Sequence, residues 1–388
     1  MNIKEKDSLY IANTYARFDL ELTEGAGSIV KDEKGKTYID LGTGIAVNTF
    51  GYSDCEWVNA VTNQLNKLQH TSNLYYTSPC VELAEILTKR TGLKKVFFSN
   101  SGAEANECAI KVARKYAADK KGSDCYKIVT LKNSFHGRTI TTLAATGQDV
   151  FHNDFLPLTD GFLYCEANNI EELENIVKTE NIAAVMFECV QGEGGVLPLR
   201  KEFVDKIFEL SNTYDFLTIA DEVQTGNGRT GTLYAHMQYG VLPDIVSTAK
   251  GLGNGLPIGA TMLGDKVKDV LGNSSHGSTF GGNPVACAGA INVINRIDDT
   301  LLNEVRAKSQ YIIEALEGAQ GVISVSGLGL MLGIETEKDA TEIIRYCQEH
   351  GVLVIKAKNK VRLLPALNIP WDLLEKAVQV IIDACKGE

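Results

Sequence analysis

The chain has 388 residues, 44% hydrophobic and 22% charged, with a formal net charge of −11 at pH 7. That describes an ordinary globular protein with room for one large α/β domain and a smaller companion. The acidic excess argues against a nucleic-acid groove or an anionic membrane surface and leaves a small molecule as the default substrate.

Along the chain, MNIKEKDSLY mixes acids and bases without the apolar core of a targeting segment, and no later apolar run approaches membrane-spanning length. Nine cysteines without a C-x-x-C pair point to neither a disulfide framework nor a zinc site, so a reducing, cytoplasmic compartment and no metal are expected. Strand-like runs recur at Val96 to Phe98, Ile128 to Leu131, Ile182 to Phe187, Phe216 to Ala220 and Ile245 to Thr248, each followed by a loop and a helical pattern. Apolar throughout, they fit a mostly parallel sheet covered on both faces. Residues 103–119 carry apolar or small side chains at helical spacing, which predicts an amphipathic helix. Beyond residue 290 the pattern changes to a helix over 300–317, the glycine-rich SVSGLGLMLGIE, an amphipathic stretch from Thr341 to Glu349, and the runs VLVI and VRLL. This reads as a second, smaller α+β domain.

Three groups follow strand ends, where ligands of open α/β sheets bind. The first is SNSGAEANE, whose Ser101 and Glu104 form a capping box while Gly102 and Ala103 leave the first amides open to an anion. A plain cap facing solvent fits that segment equally well. The second is Asp221 in ADEVQTGNGRTG, which either ends a strand or serves a cation. The glycines behind it match G-x-G-x-x-G, but they stand too far from the strand and open no clear helix, so a dinucleotide turn is disfavoured. The third is Lys250, the one charged residue between Asp244 and Asp265, a candidate for a depressed pKa and a nucleophilic amine. Phosphate cradle, carboxylate and amine together match what pyridoxal 5'-phosphate requires.

At this point the chain resembles the class III, fold-type I pyridoxal-phosphate aminotransferases that act on amines far from a carboxylate. The likeness rests on GIAVN (44–48), HTSNLYY (70–76), SGAEANE (101–107), SFHGRT (134–139), VQGEGGV (190–196), DEVQTGNGRTG, AKGLGNGLPIGA, HGSTFGGNP (276–284) and RLLPALNI (362–369), in order over nearly the whole chain. It implies a large cofactor domain over 51–289 and a small domain built from 1–50 and 290–388. It implies Lys250 as Schiff-base lysine and proton shuttle, Asp221 on the pyridinium, Gln224 near the ring hydroxyl, Phe135 against the ring, and Val223 among the cofactor contacts. Without the resemblance Phe135 would read as core. Gly102 and Ala103 would hold the phosphate, joined by Thr279 of the neighbouring subunit of a homodimer, with Ser278 beside substrate.

The resemblance further implies that Arg138 grips the donor's carboxylate, while Arg362 grips the α-carboxylate of glutamate and is otherwise masked by Glu193. It implies a δ-amino transfer from N-acetylornithine to 2-oxoglutarate, as in arginine biosynthesis. Relatives that use ornithine carry an aromatic near Gly44 and Ile45, so glycine there leaves room for an acylated α-amine. The nearest alternatives change the donor to ornithine, 4-aminobutyrate, succinylornithine or N-succinyl-diaminopimelate, or the reaction to an aminomutase. A nucleotide-dependent oxidoreductase and a non-catalytic binding protein are the alternatives of other classes. Two positions depart from the pattern: Cys189 stands where proline is usual and Tyr52 where histidine is usual.

Overall fold

The computed structural model describes residues 1–387. Its centre is a seven-stranded sheet of β1 (Lys95–Ser99), β2 (Lys127–Leu131), β3 (Phe162–Cys165), β4 (Ile182–Phe187), β5 (Leu217–Asp221), β6 (Ile245–Thr248) and β7 (Gly259–Leu263). The spatial order is β1-β7-β6-β5-β4-β2-β3. β6, β5, β4, β2 and β3 run parallel, while β7 is antiparallel to both its neighbours. The chain therefore has the α/β class expected of it, with a mostly parallel sheet.

Every residue of β4 is buried because both faces are covered. Val185 and Phe187 join one apolar cluster, and their alternates Ala184 and Met186 join another on the opposite face. Part of the second cover is the helix Gly102–Lys121, whose buried stripe includes Ala105, Ala109, Val112 and Ala113.

Two strands escaped the sequence pattern. β3 is a four-residue edge strand, too short and too little buried to stand out. β7 begins at a glycine inside a stretch that reads as one long loop. The strand expected over 216–220 lies one residue later, which places Asp221 inside it.

The ends of the chain meet outside this sheet. Strands Leu22–Ala26, Ile29–Asp32 and Thr37–Asp40 form a sheet completed by Val352–Leu353, parallel to Thr37–Asp40. A second four-stranded sheet joins Val322–Leu328, Met331–Thr336, Lys360–Leu363 and Ile355–Ala357. Helices Asp299–Leu316 and Ala340–Glu349 pack on these strands, and Trp371–Lys386 packs on both helices. Among the described residues no helix is long and apolar enough to cross a membrane.

Candidate active site

The carboxyl ends of β1, β2, β4, β5 and β6 open on one rim, around a cavity of about 590 Å³. Gly102, Ala103, Phe135, Arg138, Asp221, Val223, Gln224 and Lys250 all line it. Sequence reasoning singled out each of these. It missed Asn106, His136, Glu188, Val47 and Tyr15, which line the same cavity.

Behind β1, the Ser101 hydroxyl accepts the Glu104 amide at 3.2 Å, and the Glu104 carboxylate accepts the Asn100 amide at 2.7 Å. The cap fixes the helix start, where the first amides have no partner inside the helix and favour an anion. A Cβ on Gly102 would come within 2.6 Å of Val223, so glycine is what lets Val223 lie against the helix start.

Asp221 ends β5 and is buried. Its Oδ2 accepts the Asn106 amide at 2.7 Å and pairs with His136 Nδ1 at 2.8 Å, while Oδ1 accepts the Val223 N–H at 3.0 Å. Asn106 is itself locked: it donates to the His136 carbonyl at 2.8 Å and accepts the Ser247 hydroxyl at 2.6 Å. A carboxylate has no proton to give, so His136 carries its proton on Nδ1 and leaves Nε2 buried, without a partner among the described residues. Asp221 is thereby held in one orientation on the cavity wall.

The adjacent carboxylate has a different fate. Glu222 turns away from the cavity and accepts the Ala235 and His236 amides at 2.9 and 2.7 Å, the His236 ring at 2.9 Å and the Thr225 hydroxyl. It organises the loop behind the site.

Lys250 follows β6 with φ +47°, a left-handed conformation uncommon for a side-chain-bearing residue and frequent at functional sites. Part of the side chain faces the cavity, yet the amine is enclosed by protein. That burial brings its pKa down to about 8, against the opposing pull of Glu193. Such an amine is neutral often enough near neutral pH to act as a nucleophile.

Arg138 is exposed, and its guanidinium carbon lies 4.4 Å from the Phe151 ring centre and 5.6 Å from that of Phe135. Among the described residues it forms no ion pair, so its charge is free for a ligand. Arg362 is buried behind Gln224 and donates to Glu193 at 2.9 Å and to Gln224 Oε1 at 3.3 Å. Burial works to raise the Glu193 carboxyl, but Arg362 outweighs it and holds the group below its usual range. Gln224 Nε2 also points at Glu193, at 3.4 Å.

Ser278 and Thr279 lie elsewhere, in a neighbouring cavity of about 720 Å³ lined also by His70, Asn73, Phe97 and His276. Asn100 links the two, since it lines the first cavity and donates to the Ser278 hydroxyl at 3.2 Å. Gly44 and Ile45 line a third hollow, of about 300 Å³, with Arg17 and Phe18.

The glycine motif after Asp221 does not have the geometry of a strand-turn-helix phosphate site. Gly228 and Gly231 have positive φ of +85° and +91°, no helix opens at Gly231, and the loop carries a buried Arg229 instead. Arg229 donates to the carbonyls of Leu330 and Pro365 at 3.1 and 2.5 Å.

The family model described as "Aminotransferase class-III" matches residues 10–385. The chain belongs to the class-III aminotransferases. An acetylornithine aminotransferase of Haemophilus ducreyi is 49% identical over 381 residues, covering 98% of this chain and 97% of that one. The crystal structure of ornithine aminotransferase from Toxoplasma gondii ME49 matches with TM-score 0.95 at 30% identity, over 99% of this chain and 94% of that one. The Toxoplasma enzyme has also been solved with partial occupancy of PLP at its active site. N-acetylornithine aminotransferase from Stenotrophomonas maltophilia K279a matches with TM-score 0.85 at 35% identity, over 98% and 97% of the two chains. A class-III aminotransferase is therefore an enzyme with this cavity as its candidate site, and the oxidoreductase and binding-protein alternatives fall away.

Proposed function

We propose that this aminotransferase moves the δ-amino group of N-acetylornithine to 2-oxoglutarate, using pyridoxal 5'-phosphate held in the cavity around Lys250 and Asp221. The observation that carries the reading is the pairing of a buried amine of pKa about 8 with a donor-locked carboxylate. It stands in a chain 49% identical, over nearly its full length, to an acetylornithine aminotransferase.

The residues present fit the cofactor. The capped start of Gly102–Lys121 offers unpartnered amides of Gly102 and Ala103 for its phosphate. Phe135 and Val223 offer apolar surface for its ring, and Asp221 a carboxylate for its ring nitrogen. When bound, pyridoxal phosphate supplies an aldehyde that captures amines and a protonated pyridine that takes up electrons from the substrate carbon. With the cofactor bound, the Lys250 amine would be the group that moves the proton released at the donor's δ-carbon. Asp221 would hold the proton on the ring nitrogen. Arg138 clamps the donor's carboxylate with its planar fork, and Arg362 clamps that of glutamate once Glu193 swings aside.

A homodimer completes the site. Thr279 lies outside the Lys250 cavity of its own chain, next to exposed Phe280, and Asn73, which donates to the Ser278 and Gly281 carbonyls, leads into exposed Leu74, Tyr75 and the fully exposed Tyr76. Apolar surface of that kind marks an interaction face, and Thr279 reaches the phosphate of the partner's cofactor across it. All nine cysteines are unpaired, which supports a reducing, cytoplasmic setting.

A panel of ω-amino donors with 2-oxoglutarate tests the reading. Free ornithine brings a second ammonium that must be desolvated close to Arg138. We expect kcat/KM for N-acetylornithine to exceed that for ornithine by about 100-fold, roughly 2.7 kcal/mol. Equal or better use of ornithine or 4-aminobutyrate overturns the donor while leaving the amino transfer in place.

A further inference from the structure

Glu188 directly follows β4, is 3% exposed, and lines the cavity with Asp221 and Lys250. Its Oε2 accepts the Phe135 N–H at 3.0 Å, and the Gly192 amide is turned toward it. Among the described residues no cation forms an ion pair with it. The charged groups facing it are Asp221, Glu193 and Lys250. Glu193 is matched by Arg362, and Asp221 by Asn106, His136 and Val223. A buried carboxylate with two backbone amides, no cation and a second carboxylate nearby is costly, and a neutral acid is the form that such a site favours.

We propose that Glu188 is a further positioning residue, a carboxylic acid kept neutral whose Oε2 accepts from Phe135 and whose O–H donates into the cavity to the phenolic oxygen of the cofactor ring. Gln224, which the resemblance brings near the same ring hydroxyl, has its oxygen on Arg362 and its nitrogen 3.4 Å from Glu193, so Glu188 is a second donor to that oxygen beside Gln224. Burial, with Asp221 nearby, raises the Glu188 carboxyl well above the ordinary carboxylate range. The two carboxyls under the site thus divide the work: Asp221 supplies charge and Glu188 a hydrogen bond. An acid kept neutral by its surroundings so that it can donate is an established device of active sites.

The inference rests on the cofactor reading above, and its test uses the protein reconstituted with pyridoxal phosphate but no amino donor. The infrared spectrum should contain the carbonyl stretch of a protonated carboxyl that disappears in Glu188→Gln. An amide both donates and accepts, so Glu188→Gln should hold the cofactor within about threefold of wild type. Glu188→Leu should weaken it about tenfold to a hundredfold, the loss expected of a hydrogen bond to a charged group. No band lost in Glu188→Gln, or a Glu188→Gln as weak as Glu188→Leu, overturns the proposal. A protein that holds pyridoxal phosphate but rejects N-acetylornithine fails the donor reading alone. In a protein that holds no pyridoxal phosphate, the infrared band still decides whether Glu188 is neutral.

Discussion

In water a lysine amine keeps its proton to about pH 10.4, whereas enclosure brings Lys250 to about 8. Below that pH the amine is mostly ammonium and cannot attack a carbonyl; above it the neutral form dominates. Capture of pyridoxal phosphate by the cofactor-free protein should therefore accelerate as pH rises through about 8 and then level off, as followed by stopped-flow absorbance. A rate still climbing in proportion to hydroxide up to pH 10 contradicts the depressed pKa. Lys250 was legible in the sequence because it is the one charge in a long neutral stretch, and Asp221 because it closes an apolar run. Glu188 closes IAAVMF in the same manner and could have been found by the same signal. Asn106 and His136 could not. Their role depends on a meeting with Asp221 across 115 and 85 residues, which no local pattern encodes.

Elements set these side chains by bending the backbone at strand ends. Thr43–Ala46 is a left-handed turn with φ of +47°, +66°, +66° and +60°, three of its four residues bearing side chains. Each such residue costs of order 1 kcal/mol or more. Asp40 holds it by accepting the Gly42 and Thr43 amides at 2.7 and 3.0 Å, and the Tyr52 hydroxyl holds Asp40 at 2.7 Å. The unusual tyrosine thus braces the turn that precedes Val47 on the cavity wall. Arg229 braces the loop after Asp221 in another way, by bonding carbonyls near strands Met331–Thr336 and Lys360–Leu363. Among the described residues no anion pairs with it, and burial brings its guanidinium down to about 9. Arg229→Leu should lower stability by about 3 kcal/mol in urea denaturation, from two orphaned carbonyls and an imperfectly filled space. An unchanged midpoint would show that Arg229 is idle. Periodicity found the long elements, such as Gly102–Lys121 and Asp299–Leu316. It missed the short edge strand β3 and the glycine-led β7, because tertiary pairing rather than local pattern makes them strands.

Over the whole molecule, Thr279 and Lys250 of one chain line different cavities, which a two-fold dimer reconciles if each chain lends Thr279 to its partner. Mixed dimers separate the possibilities. In a dimer of one Thr279→Ala chain and one Lys250→Ala chain, the site that keeps Lys250 receives an intact Thr279 from across the interface. Its cofactor affinity should be that of wild type, while the Thr279→Ala homodimer should be weaker by about 1.5 to 3 kcal/mol. Weak binding in both places Thr279 in its own chain's site. The fold class was legible because apolar strand runs alternate with helical patterns along the chain. The pairing of the N-terminal strands with Val352–Leu353 was not, since it joins segments more than 300 residues apart. Beneath all of this lies the claim that the sheet's carboxyl rim assembles a pyridoxal-phosphate site on Lys250. Borohydride reduction of the reconstituted protein followed by peptide mass mapping tests it most directly. The account predicts a single pyridoxyl group per chain, on Lys250, and none in Lys250→Ala; label on other lysines with Lys250 unmodified would contradict it.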